Sequence, residues 1–336
     1  MRAKGINYDT GFSPAGSLSR PGFDPDVVRR ELGIIADDLH CTAVRISGGD
    51  PERLSVAGRL AAEAGLEVWF APFPCELTAD QLGPFLADCA DRAEELRRTG
   101  AEVVLVTGCE LSLFSSGFIP GADLGARIAA LTSGDPAVYA TFGPITAALN
   151  ALLAATVAEA RKRFGGRITY ASGPWEEIDW TPFDIVGVDA YRAEYNASTY
   201  REEIRGHFAH GKPVAATEFG CCTYRGAAAQ GGTGWAILDE EGGLDGDYVR
   251  DETEQADYLR ELLAVFEEEG LDSAFWFTFA SYGLPYAPDP RHDLDLAAYG
   301  VVRMLPSGRG TAYPDMAWEP KESFGALAAA YGPKSE

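Results

Sequence analysis

Two glutamates occupy matching points in this sequence. Glu110 closes the apolar run Val103-Val104-Leu105-Val106-Thr107-Gly108-Cys109. Glu218 closes the run Val214-Ala215-Ala216-Thr217, just before Phe219 and Gly220. Two carboxylates facing one cleft are the equipment for cleaving a glycosidic bond. One carries a proton for the departing oxygen, and the other, ionised, attacks or activates water. Burial and like charge favour the first state, and a nearby cation favours the second. Arg45, inside Thr42–Ile46, is placed to supply that cation. Asn7, Tyr8, Cys109, Asp189, Tyr191 and Trp276 end similar runs and are expected, with Arg45, to line a substrate site. The flat face of Trp276 suits stacking on a sugar ring.

Positioning these groups requires eight strands converging on one mouth. Strand-like runs fall at Ala3–Tyr8, Thr42–Ile46, Glu67–Ala71, Glu102–Thr107, Arg167–Ala171, Ile185–Val188, Val214–Thr217 and Ser273–Phe277. Amphipathic stretches alternate with them: Phe23–Leu39, a helix opened by Asp50-Pro51, Thr78–Arg98, Pro144–Phe164, Ser198–His210, Val249–Glu269 and a closing Pro320–Tyr331. Asp24 is expected to cap a helix beginning at Pro25, and Gly65 and Gly100 are helix stops. Strand–helix alternation predicts a parallel sheet, and the number eight predicts closure into a (β/α)8 barrel. The alternative, an open nucleotide-binding sheet, lacks its glycine fingerprint at Gly5-Ile6-Asn7-Tyr8. No linker or repeat divides the chain, so residues 1–336 read as one domain. Long loops at Ser112–Gly143, Gln230–Asp247 and Ala280–Trp318 are expected to wall the cleft.

Composition narrows the function. The chain has 336 residues, 46% of them hydrophobic, with 28 basic and 51 acidic residues. A net charge of -23 without a basic stripe disfavours nucleic acid and anionic membranes as partners. No run of about 18 apolar residues and no signal peptide is expected. Six scattered cysteines do not form a secreted disulfide framework, so a cytoplasmic location with reduced thiols is expected. Neither C-x-x-C nor H-E-x-x-H occurs, and only four histidines are present, so no metal and no cofactor are expected.

The strand-end residues resemble glycoside hydrolase clan A, the retaining barrel glycosidases. Thr217-Glu218-Phe219-Gly220 resembles the strand-seven nucleophile motif, and Val44-Arg45-Ile46 the strand-two arginine. Phe275-Trp276-Phe277 resembles the strand-eight tryptophan, and Glu252–Tyr258 the helix before it. Tyr299-Gly300-Val301-Val302 and Trp318-Glu319-Pro320-Lys321 resemble the clan's C-terminal ending. The resemblance implies Glu218 as nucleophile, Glu110 as acid/base and Tyr191 beside the nucleophile. It also implies a departure: Cys109 stands where the clan has the asparagine that holds the sugar 2-hydroxyl. A thiol is a weak donor. The implied substrate is therefore a small or modified glycoside. The alternative is a non-hydrolytic carbohydrate-binding or regulatory barrel, in the sense of the phage-defence label some bacterial chains of this appearance carry.

Overall fold

The computed structural model describes residues 1–14, 16–239 and 241–333. Glu240, within the expected loop Gln230–Asp247, lies outside the described residues. Eight parallel strands form the central sheet: β1 (Ala3–Asp9), β2 (Ala43–Gly48), β3 (Glu67–Pro72), β4 (Val103–Cys109), β5 (Arg167–Ala171), β6 (Val186–Asp189), β7 (Val214–Phe219) and β8 (Ser273–Trp276). Their order is β5-β4-β3-β2-β1-β8-β7-β6, with β1 paired to both β2 and β8. The seam between β5 and β6 is narrow. Ser172 bridges Val188, donating its N–H to Gly187 O at 3.1 Å and accepting from Asp189 N at 2.9 Å. The result is a nearly closed (β/α)8 barrel, as the strand count predicts.

The outer ring holds α1 (Pro25–Asp37), α2 (Pro51–Glu63) and α3 (Ala79–Arg98). Three short helices, α4 (Leu111–Phe114), α5 (Leu124–Thr132) and α6 (Pro136–Tyr139), occupy the expected Ser112–Gly143 loop. After them come α7 (Phe142–Ala160), α8 (Tyr200–Gly206), α9 (Ala227–Gln230), α10 (Glu252–Glu269) and α11 (Glu322–Tyr331). The Asp24 carboxylate accepts from Asp26 N, and Asp50 caps α2 the same way, so both helices start where their Asp-Pro pairs dictate. The polar segment after β8 contains an unexpected antiparallel pair, β9 (Val302–Met304) and β10 (Trp318–Pro320). Their two short runs are too brief to stand out by periodicity.

Strand alternation divides the core in two. Ala43, Trp69, Ala71, Val104, Val106, Ile185, Ala215 and Phe275 fill the barrel interior, with the Trp69 and Phe275 rings 4.6 Å apart. Val44, Ile46, Val68, Phe70, Leu105, Val186, Ala216 and Trp276 face the helices. The stretch Pro136–Ala160 spans α6 and α7. It is long and apolar enough by composition to cross a membrane, with only 22% of its apolar window buried. Its apolarity comes from alanines together with Phe142, Ile145, Leu149, Leu152, Leu153 and Val157. Leu149, Leu153 and Val157 of α7 pack inward, and the segment is joined to β4 and β5 of the barrel at its two sides.

Candidate active site

Glu110 and Glu218 reach the mouth because the backbone leaves regular strand geometry beside each. In β4 the register shifts between Val106 and Cys109, which turns both Val106 and Cys109 inward. Gly108 makes this possible. Its φ is +127°, and a Cβ there would lie 2.9 Å from the Leu111 side chain. Glu110 follows in the left-handed region at φ 45°, ψ 42°, which costs a non-glycine residue about 1 kcal/mol. Its N–H donates to Ala171 O at 2.9 Å, and its carbonyl accepts from Leu113 N at 2.9 Å. β7 is irregular in the same manner between Ala216 and Phe219. Thr217 and Glu218 both turn toward the barrel axis, while Phe219 packs outward on Phe266 and Trp276. Gly220 then lets β7 and β8 converge, since a Cβ there would lie 2.5 Å from Phe277 O.

Four groups surround the Glu218 carboxylate. Arg45 Nη1 donates to Oε1 at 2.6 Å, and the Tyr191 hydroxyl donates to Oε2 at 3.0 Å. Cys109 Sγ lies 3.5 Å from Oε1. Asn7 completes the set indirectly: its Oδ1 accepts from Arg45 Nη1 at 2.7 Å, and its Nδ2 donates to Thr217 O at 3.0 Å. Arg45 is 1% exposed. Every one of these contacts donates toward Glu218 or orients a donor, so the carboxylate form uses them all. Burial, then the charge of Glu218, holds the Tyr191 phenol well above its ordinary range, which keeps it a donor.

Glu110 has the opposite surroundings. Burial comes first, then the charges of Asp189, Glu218 and Glu176, and together they push its carboxyl well above the usual range despite Arg45. Glu176 is fixed by four donors: Ser112 N at 3.0 Å, Ser112 Oγ at 2.5 Å, Tyr170 OH at 2.9 Å and Gly173 N at 3.2 Å. A carboxyl whose surroundings favour the protonated form, near a second one that collects donors, is the division of labour that acid-assisted bond cleavage requires.

Against that geometry, solved structures with this architecture can be compared. No family model and no curated protein matches the sequence. A GH113 β-1,4-mannanase superposes with a TM-score of 0.64 at 14% identity, covering 98% of each chain. The GH113 β-mannanase from Alicyclobacillus acidocaldarius gives 0.61 at 16% identity, over 98% of this chain and 96% of that one. The family 1 β-glucosidase from Thermotoga maritima gives 0.56 at 11% identity, covering both chains fully. The fold is the (β/α)8 barrel that these glycosidases share. The expected resemblance therefore holds at the level of architecture, across the whole of the mannanase and glucosidase chains.

Within this barrel, the structure brings Arg45, Asn7, Cys109, Asp189 and Tyr191 together around Glu218. Two expected cleft residues lie elsewhere. Trp276 is 0% exposed; it packs on Phe219 and Tyr258 and donates Nε1–H to Tyr299 O at 3.1 Å. Alternation in β8 sends Phe275 into the barrel and Trp276 toward the helices. The half-buried aromatic ring at this strand end belongs to Phe277, 5.7 Å from the Tyr299 ring. Tyr8 likewise points outward, donating to Glu31 Oε2 at 2.5 Å under α1. Asn7, Cys109 and Asp189 are almost wholly buried, so they hold Glu218 or one another rather than presenting a surface.

Sequence reasoning also passed over Glu176 and Phe277. Gly173-Pro174-Trp175-Glu176 follows β5, and its strand-end acid was the available signal. Cys109 Sγ and the carboxylate oxygens of Asp189 and Glu218 lie within 4.8 Å of one another, a spacing compatible with a cation. The Arg45 guanidinium already holds that oxygen of Glu218, which opposes a second positive charge there.

Proposed function

We propose that this protein is a retaining glycoside hydrolase acting on a small or modified glycoside by double displacement. Glu218 attacks the anomeric carbon while Glu110 protonates the departing oxygen. Glu110, now ionised, then takes a proton from water, which releases the sugar from Glu218 with its configuration kept. The observation carrying this reading is the contrast between the two carboxyl groups. Glu218 receives donors from Arg45 and Tyr191. Glu110 is buried near Asp189, Glu218 and Glu176, which raises its carboxyl and favours the protonated form. The fold shared with mannanases, glucosidases and glucuronidases supports the same class of chemistry. Tyr191 and Phe277 are partly exposed aromatic groups at the mouth that a sugar ring would meet.

The test uses activated aryl glycosides of several sugars. Glu218→Gln keeps the shape of the side chain and removes the nucleophile, so turnover should fall by at least about a thousandfold. Glu110→Ala should slow poor leaving groups far more than good ones, and added azide should restore turnover as a glycosyl azide of unchanged configuration. Absence of hydrolysis across the panel, with sugar binding retained, would favour the carbohydrate-binding alternative that Cys109 raises.

A further inference from the structure

We infer that Asp189 controls Glu218 through the thiol of Cys109, by deciding which of two carboxyl groups accepts the hydrogen bond of the thiol. The inference rests on reading Glu218 as the nucleophile. Cys109 Sγ lies 3.5 Å from Asp189 Oδ2 and 3.5 Å from Glu218 Oε1. A thiol has one proton and so donates to one of them at a time. Asp189 is held from both sides. Its Oδ1 accepts from Thr217 Oγ1 at 2.8 Å, and its N–H donates to Ser172 O at 2.9 Å, which fixes Oδ2 toward the sulfur.

Two arrangements balance. With Asp189 neutral, Oδ2–H donates to Sγ, and S–H donates to Glu218 Oε1. When Asp189 releases that proton to solvent, S–H turns to Oδ2. Glu218 Oε1 then keeps only Arg45 and faces a new negative charge. No other bond changes. The titratable and charged groups around Asp189 are Arg45 from β2, Cys109 from β4 and Glu110 just after it, Glu218 from β7, and Tyr191 beyond its own strand. Three carboxyl groups here share one guanidinium, so a charge on Asp189 is felt by Glu218. Burial and the charge of Glu218 raise the Asp189 carboxyl well above its usual range, which shifts the balance toward the neutral arrangement. Asp189 and Cys109 are 5% and 2% exposed, which makes both positioning residues.

Infrared difference spectra between the parent protein and Cys109→Ala isolate the S–H stretch of Cys109. Across a pH series, the parent band should shift in one transition, and Asp189→Asn should abolish the shift. The asparagine amide donates to sulfur and accepts from Thr217, which locks the first arrangement. If Asp189→Asn does not fold, Thr217→Val removes a donor that favours the carboxylate and should move the transition to higher pH. A pH-independent parent band, or a transition unmoved in these variants, overturns the inference. On an aryl glycoside whose leaving group needs no protonation, kcat/KM should show the same transition, displaced in Cys109→Ala and restored in Cys109→Ser. A parent kcat/KM profile without it overturns the control of Glu218. No turnover of any glycoside would count against the nucleophile reading, while the infrared result would still decide the coupling of Asp189 to Cys109.

Discussion

Arg45 Nη1 stands 2.6 Å from Glu218 Oε1, with Asn7 Oδ1 2.7 Å from the same nitrogen. One buried guanidinium nitrogen thus ties β2 to β7 and to β1. Breaking a buried pair by removing one partner leaves an uncompensated charge and costs about 3–5 kcal/mol. Arg45→Met should therefore lower thermal stability markedly and reduce kcat/KM by about a hundredfold or more. Arg45→Lys keeps the charge but loses the planar fork, so its loss of activity should be smaller. Calorimetry and steady-state kinetics on the two variants check this. Equal losses would show that charge is not what the site needs from Arg45.

The pH dependence of activity should follow Glu110. Its raised carboxyl is protonated in the working form, so activity persists above the ordinary carboxylate range and is lost as pH rises through the raised value. Glu176 contributes one of the negative charges behind that shift. Glu176→Gln removes the charge and keeps hydrogen-bonding capacity toward Ser112 and Tyr170. The basic limb of the kcat/KM profile should move to lower pH in this variant. A limb that stays in place would remove Glu176 from the electrostatics of the site.

Trp276 and Phe277 should separate stability from binding. Trp276→Ala empties a fully buried site against Phe219 and Tyr258 and should cost about 3–5 kcal/mol. Phe277→Ala, at a half-buried ring, should cost less stability and raise KM for whichever glycoside the panel identifies. Urea unfolding and kinetics measure the two effects. The reverse pattern would restore Trp276 to the cleft.

Asp9 gives a stability test independent of catalysis. It ends β1, accepts from Gly11 N at 2.7 Å, and is pushed up to about 6, chiefly by burial. The folded state thus retains a proton that the unfolded chain releases near 3.8. Its stabilising effect is complete below that value and is lost as pH rises through about 6, on the order of 2–3 kcal/mol. Asp9→Asn should gain stability relative to the parent between pH 4 and pH 7. Urea denaturation of both proteins at the two pH values measures the difference, and a constant gap would contradict it.

Much of this molecule is legible from local sequence. Asp24-Pro25 and Asp50-Pro51 start helices through contacts within a few residues, so the sequence alone places α1 and α2. The eight apolar runs predict eight strands, strand endings nominate Glu110 and Glu218, and Arg45 stands out as the charge inside the second run. The facing of Tyr8 and Trp276 was not legible, because a strand residue's side depends on register and on bulges. Inward and outward positions are both apolar in a barrel buried on two faces. The bulges at Thr107-Gly108 and Thr217-Glu218 have no signal stronger than a glycine. β9 and β10 are stabilised by each other, at a separation no local pattern reports. The sequence by itself determined the barrel and its pair of acids. Tertiary structure decided their environments, because the charges that set Glu110 apart from Glu218 come from Asp189, Glu176 and Arg45, which lie on different strands and loops and meet only when the barrel forms.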